Sequence, residues 1–352
     1  MIYQNTLAYA KQQDTEDKLS HLREQFHIPK DKNGNDWLYF TGNSLGLQPK
    51  KSQKYIQQEL ESDAFPSDRY AVQSQLKFHG FDAEEGLIEW KPRKGEELLN
   101  IADLKKIVAE QGDEIALLLI GGVNYYTGQF LDLKRIAEIG HSKNCFVGID
   151  LAHGAGNISP DLHNSDVDFA AWCTYKYLNS GPGSLGGLFV HEKHADNKEL
   201  PRFAGWWNHN KETRFNMRQP FDVMKGAEGW QLSNPPILSM AAIKASLDLF
   251  DEVGFENLRE KSEKLTGYFE FLINQIDSDS IKIITPSNPK ERGCQLSIQV
   301  KNADKSLHKK LTENNIITDW REPDVIRCAP VPMYNSFEDV YKMVSVLKEL
   351  LN

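Results

Sequence analysis

Short apolar runs recur along this chain, and segments with helical spacing lie between them. Residues 87–90, 115–120, 145–149, 169–173 and 185–190 read as strands, and residues 103–110 and 131–139 as helices. That alternation predicts a large domain with a mainly parallel sheet covered by helices, and ligands at the C-terminal ends of the strands. Ahead of it, Leu7, Leu19, Leu22 and Phe26 line one face of a helical pattern over 6–26. A short strand at 38–40 then leads into a Gly- and Asn-bearing turn at 41–46. Pro49 opens a helix to Glu61, and 65–76 reads as a loop entering a further helix that Pro66-Ser67-Asp68 begins and caps. Beyond Pro236 come helices to Phe250 and over 256–276. Strands at 281–284, 295–300 and 325–327 and helices at 304–313 and 336–350 follow. The expected organisation is an N-terminal segment (1–48) packed with a small αβ C-terminal domain (253–352), and a large domain over 49–252.

The 352 residues suffice for a substantial core. A net charge of −9 and a pI near 5.6 argue against nucleic acid or an anionic membrane as the main partner. Cys145, Cys173, Cys294 and Cys328 lie scattered, so they read as reduced thiols in a cytoplasmic protein. The polar, charged stretch from Lys11 to Arg23 does not read as a signal peptide, and no run approaches the length of a membrane span. No metal site is expected.

Two of the strands deliver chemistry. The run at 145–149 ends in Asp150, and Phe169–Cys173 leads to Lys176. An acid and a lysine on neighbouring strand ends are the minimum kit for pyridoxal phosphate (PLP): the amine forms a Schiff base and the carboxylate keeps the pyridine nitrogen protonated. His153 follows the acid closely enough to lie against the ring. The same pair also reads as a surface ion pair. The glycine density of Gly181-Pro182-Gly183-Ser184-Leu185-Gly186-Gly187 suits a backbone packed closely on a ligand.

Several strings extend this picture. Asp150-Leu151-Ala152-His153-Gly154-Ala155-Gly156-Asn157, Trp172-Cys173-Thr174-Tyr175-Lys176-Tyr177-Leu178-Asn179 and the Gly-rich run resemble the kynureninase family, PLP enzymes of the aspartate-aminotransferase fold (fold type I). So do Gly42-Asn43-Ser44-Leu45-Gly46-Leu47, Phe65-Pro66-Ser67-Asp68, Tyr125-Tyr126-Thr127-Gly128-Gln129, Ser233-Asn234-Pro235-Pro236 and Arg327-Cys328-Ala329-Pro330-Val331-Pro332. The likeness covers nearly the whole chain in order. It implies that Lys176 carries the cofactor, with Asp150 and His153 at the ring, Phe65, Pro66 and Ser67 beside it and Asp68 supporting Asp150. Trp206 and Asn234 would reach the cofactor of a neighbouring subunit in a homodimer with shared sites. Asn43, Trp207, Ser233 and Arg327 would bind substrate, Arg327 as a two-pronged clamp on its α-carboxylate. Tyr175 would bind phosphate or relay protons.

The implied reaction is hydrolysis of L-kynurenine, or its 3-hydroxy derivative, to anthranilate or 3-hydroxyanthranilate and L-alanine. Lys176 would act as the base at the substrate α-carbon, so a lowered pKa is expected of it. Rival readings are a cysteine desulfurase or aminotransferase of the same fold, or a dimer that binds no cofactor. A desulfurase needs a reactive cysteine on a mobile loop, whereas all four cysteines here lie in or beside apolar runs.

The chain departs from the family at three points. Gly121 stands where a hydroxyl residue is common, and Trp207 where phenylalanine is common. Kynureninases also carry several tens of residues before the Phe-Pro-Ser-Asp motif, including a Thr-bearing loop for the cofactor phosphate. Here Ser62 runs directly into Asp63. The expectation is that residues are left out at this join, which would then show as a spatial break, rather than truly deleted.

Overall fold

The computed structural model describes residues 3–43, 47, 68–82, 86–216 and 220–351. The expected helix from Pro49 to Glu61, the join at Ser62 and Phe65, Pro66 and Ser67 lie outside the described residues. Helix α1 (Leu7–Glu16) starts on the Thr6 side chain, which accepts from the Tyr9 N–H. It stops at Asp17, whose carboxylate accepts from the Leu19 N–H and meets the buried Lys261 amine at 2.6 Å. The single helical face expected over 6–26 is therefore two pieces, the second a 3-10 turn at Ser20–Gln25. Strand β1 (Leu38–Tyr39) and helix α2 (Asp68–Phe78) follow. Residues 87–90 form no strand; the segment is irregular, and Trp90 packs against the core beside it.

Helices α3 (Ile101–Gln111) and α4 (Leu133–His141) flank the first sheet, built from β2 (Leu117–Gly121), β3 (Phe146–Asp150), β4 (Phe169–Cys173) and β5 (Gly186–Val190) in that order. Strands β2, β3 and β4 are parallel and β5 is antiparallel. Leu118, Val147, Ile149 and Ala170 bury one face of the sheet with Leu104, Val108, Leu133, Ile136 and Ala137 of the helices. The parallel arrangement of β2, β3 and β4 is as expected, and among the described residues α3 and α4 cover one face of the sheet.

Helices α5 (Ile237–Val253) and α6 (Phe255–Ile273) are split by Gly254 at φ +80. The second sheet holds β6 (Ile281–Ile283), β7 (Leu296–Val300), β9 (Asp319–Arg321) and β10 (Val325–Cys328), in the order β6-β7-β10-β9 and antiparallel throughout. Helix α7 (Lys305–Glu313) precedes β8 (Ile316–Ile317), which pairs with β1. Helix α8 (Phe337–Leu351) packs with α6 and α1 on this sheet, around Phe269, Leu296, Ile326 and Val340. Asp14 of α1 accepts from the Phe337 and Glu338 N–H groups at 2.6 and 3.0 Å, satisfying two orphan donors at the start of α8. No described helix is long and apolar enough to cross a membrane.

Candidate active site

Strand β3 ends in Asp150, in register with Gly121 of β2 and Ala171 of β4. The chain then turns tightly through 151–157, and the Asp150 carboxylate accepts from the Ala152 N–H at 2.7 Å. Gly156 lets this turn approach the segment after β4. It sits at φ +80, and a Cβ there would stand 2.8 Å from the Tyr177 carbonyl carbon. That approach brings His153 Nε2 to 3.2 Å from the Lys176 amine, with both side chains buried.

The lysine segment is itself fixed. Asn179 takes the left-handed conformation at φ +56, and its N–H and that of Ser180 donate back to the Lys176 and Thr174 carbonyls. The Ser246 hydroxyl of α5 donates to the Leu178 carbonyl. Burial, and after it the Lys176 charge, hold the His153 imidazole well below its ordinary pKa, so the ring is neutral at pH 7. Its Nδ1 is buried without a protein partner, as are Asn179 Oδ1 and Ser180 Oγ nearby. The Tyr175 ring lies 5.9 Å from the Lys176 amine, and burial pushes its phenol up to about 12.

Several hydrogen bonds tie this end of the first sheet to the second. Asn157 donates to the His153 carbonyl and accepts from the Cys294 N–H at 2.8 Å. Gln295 donates to the Tyr125 carbonyl, and Ser297 to that of Tyr126. Arg327, on β10, donates to the Tyr125 carbonyl at 2.6 Å and is only 1% exposed. The expected carboxylate clamp is thus deep in the molecule and already engaged: its Nη2 also meets Asp319, its register partner on β9. Arg321 Nη2 reaches the same Asp319 oxygen at 3.1 Å. After burial and the Lys176 charge, the charges of Arg327 and Arg321 also act against protonation of the His153 imidazole.

Asp319 and Arg321 were not singled out by sequence reasoning. Their signal is the i, i+2 alternation around the buried Trp320, which sets both charges on one face of β9.

Asn43 is fully buried with neither amide atom hydrogen bonded. Its segment lies beside the strand of Arg327, since Thr41 bridges Ala329 and the Ala329 N–H donates to Phe40. Trp206 and Asn234 do come together, the indole N–H donating to the amide oxygen at 2.9 Å. They do so at the surface, where Trp206 is 43% exposed and Ser233 and Asn234 are exposed too. Trp207 lies under the Arg214 guanidinium at 4.8 Å. Asp68 begins α2. At Gly121 a Cβ would make only ordinary contact, so the space for the family's side chain is present.

No described group of histidine, cysteine and carboxylate residues could hold a metal. The four thiols are free. Burial raises the pKa of Cys145, Cys173, Cys294 and Cys328 alike, which is the opposite of what a desulfurase nucleophile needs. A cavity of about 530 Å³ lies away from this site, where α1 meets α6 and α8. Its charges are paired with one another, Arg23 with Asp339 and Lys261 with Asp17.

The fold is shared with solved PLP enzymes. The cysteine desulfurase CsdA from Escherichia coli superposes with a TM-score of 0.69 at 15% identity, over 95% of this chain and 98% of that one. A mutant of C-DES with glycine covalently linked to its PLP cofactor gives 0.66 at 18% identity, over 98% and 88%. The model of the kynureninase C-terminal domain matches residues 258–347. The kynureninase of Myxococcus xanthus is 44% identical over 99% of this chain and 98% of its own length. That of Mus musculus is 39% identical over 96% and 92%. The Myxococcus alignment spans 416 positions against 352 residues, so at least 64 of them carry no residue of this chain. On sequence and fold together, this chain belongs to the kynureninase family.

Proposed function

We propose that this chain hydrolyses L-kynurenine, or its 3-hydroxy derivative, to anthranilate or 3-hydroxyanthranilate and L-alanine with PLP as cofactor. The observation that carries the reading is the buried Lys176 amine 3.2 Å from His153, with Asp150 on the adjoining strand end. The donor set suits PLP. It offers a buried amine, a half-buried carboxylate, a neutral imidazole, and buried polar atoms of His153, Asn179 and Ser180 without protein partners. Lys176 would hold the cofactor covalently, Asp150 its pyridine nitrogen and His153 the ring face. Bound there, PLP supplies the electron sink for bond cleavage next to the amino-bearing carbon.

The chain's own residues do the rest. Lys176 takes the proton from the substrate α-carbon, and His153 keeps its amine within hydrogen-bond reach. Arg327 and Arg321 converge on Asp319, Arg327 from a buried position. The substrate α-carboxylate is the anion that Arg327 would take in two parallel hydrogen bonds, which fixes its orientation. Asn43 offers a buried amide to the same substrate. Water adds across the bond between the side-chain carbonyl and its neighbouring carbon, and the substrate divides into the acid and alanine.

The exposed Trp206–Asn234 pair supports a homodimer in which each subunit completes the other's site. Phe203, Phe215, Ile237 and Leu238 are each more than 70% exposed and add apolar area of the kind a partner covers. The test of the reaction is product analysis. Kynurenine and PLP incubated with the protein give anthranilate and alanine in equal amounts; transamination with no alanine would sink the reading.

A further inference from the structure

Arg327 is held from two directions, and both holds come with the register of the second sheet. Strand β10 lies between β7 and β9, which sets Arg327 opposite Ser297 on one side and Asp319 on the other. On the β9 side its Nη2 donates to the Asp319 carboxylate. On the β7 side Gln295, fully buried, donates to Ser297 Oγ at 3.0 Å and to the Tyr125 carbonyl at 3.1 Å. That same carbonyl accepts from Arg327 Nη1 at 2.6 Å. The two terminal nitrogens of one planar group are therefore anchored to different elements, the loop after β2 and the neighbouring strand.

The Asp319 anchor cannot drift. Directly opposed residues of an antiparallel pair have Cβ atoms about 5 Å apart, so the contact follows from the pairing itself. Trp320 and Ile326, the adjoining register pair, point to the opposite face and are buried in the core with Phe269 and Val340. A slip by one residue would drive Asp319 and Arg321 into that core, which pins the register. Arg321, on the same face as Asp319, also meets its carboxylate at 3.1 Å.

An acid beside an arginine that takes up an anion works against affinity, because it competes for the same charge. Geometry supplies a reason for it. An arginine side chain has many rotamers, and a clamp that must order them on binding grips weakly and in several orientations. Asp319 orders them in advance. Burial holds the Arg327 guanidinium pKa below its ordinary value, and the Asp319 carboxylate works against that shift.

We propose that Asp319 is the positioning residue of the clamp: it sets the plane of the Arg327 guanidinium, so that the substrate α-carboxylate is gripped in one orientation. This rests on Arg327 receiving that carboxylate. Asp319 acts through Arg327 and touches no reacting atom.

The test uses the full chain with PLP present and a ligand that cannot react, kynurenine stripped of its amino group. The acid is compared with its methyl ester, which has lost the charge, and calorimetry gives both affinities without turnover. Wild type should prefer the acid by about ten- to a hundredfold, the worth of a hydrogen bond to a charged group. Asp319→Ala should shrink that preference to a few-fold by weakening the acid alone, with ester binding unchanged. Asp319→Asn, which keeps an oxygen to accept from Nη2, should restore most of it. In the Arg327→Ala background the preference is already gone, and Asp319→Ala should change nothing more. If Asp319→Ala fails to fold, Asp319→Glu takes its place: the charge stays, the extra methylene shifts the guanidinium, and the same selective loss is expected. The proposal is overturned if the variant weakens acid and ester alike, which is a structural role only, or leaves the acid's affinity intact. It is equally overturned if the loss persists in the Arg327→Ala background, or if wild type does not distinguish acid from ester. A protein that shows the expected pattern yet forms no anthranilate from kynurenine supports the clamp and overturns the reaction reading, so the two failures are told apart.

Discussion

Replacing Arg327 should cost stability as well as catalysis, and the two effects can be separated. Its guanidinium is 1% exposed and held by Asp319 and the Tyr125 carbonyl. Arg327→Ala removes one of the two arginines that meet the nearly buried Asp319, and breaking a buried pair from one side costs about 3–5 kcal/mol. Asp319→Asn keeps an accepting oxygen, so it should cost less, about 1–3 kcal/mol. Removing both partners in Arg327→Ala/Asp319→Ala leaves no buried charge behind. The cost of the double change should therefore fall short of the sum of Arg327→Ala and Asp319→Ala by about 2 kcal/mol or more.

Urea unfolding followed by tryptophan fluorescence reads this out, since Trp320 lies between Asp319 and Arg321 and is 8% exposed. Arg327→Lys keeps the charge but not the planar fork. It should recover most of the stability while kcat stays low and KM high, because the substrate carboxylate is no longer held in one orientation. Single changes that each cost under about 1 kcal/mol and add without coupling would refute the buried-triad reasoning.

Other outcomes follow from the same geometry. Burial opposes ionisation of Asp168, but hydrogen bonds from His141, His194, the Val147 N–H and Lys193 hold its carboxyl down at about 2. Its depressed folded pKa gives stability that is present above the ordinary 3.8 and lost as pH falls toward 2, worth about 2 kcal/mol at neutral pH. Asp168→Asn should be less stable than wild type in urea at pH 7, and the gap should close as pH falls from about 4 to about 2. His153 is buried neutral, so the unfolded chain binds a proton near pH 6.5 that the folded one refuses. Wild type should lose melting temperature as pH falls from 7 to 5, and His153→Gln should show a flatter profile. If sites are shared in a homodimer, Lys176→Ala and Trp206→Ala should each be inactive alone. Mixed and re-equilibrated, they should regain about a quarter of wild-type activity, because half of the dimers then hold one intact site.

Much of this was legible in the chain because buried strands announce themselves. Phe169–Cys173 was read with the bounds it has, since an apolar run between Asp168 and the Thr174-Tyr175-Lys176 segment fits no other element. The pairing of Asp150 with Lys176 followed from strand ends in a parallel sheet. What failed has physical causes. Residues 87–90 have strand-like composition but pair with no strand among the described residues. Strands β8 and β9 went unread because one is two residues long and the other turns its charges inward toward Arg327, reversing the usual pattern. The 6–26 face hid a break because Asp17 spends its carboxylate on Lys261, a partner more than two hundred residues away. The exposure of Leu117, Leu119, Phe146 and Leu188 among the described residues was not foreseen, since a continuous apolar run such as β2 reads the same whether one face or both are covered.

The central claim is that Lys176 is the residue that carries the cofactor. Borohydride reduction of the protein with PLP bound, followed by peptide mapping, tests it without relying on turnover. The account predicts a single pyridoxyl group on Lys176, within the Thr174–Asn179 stretch. Label on any other lysine, with Lys176 unmodified, would contradict it.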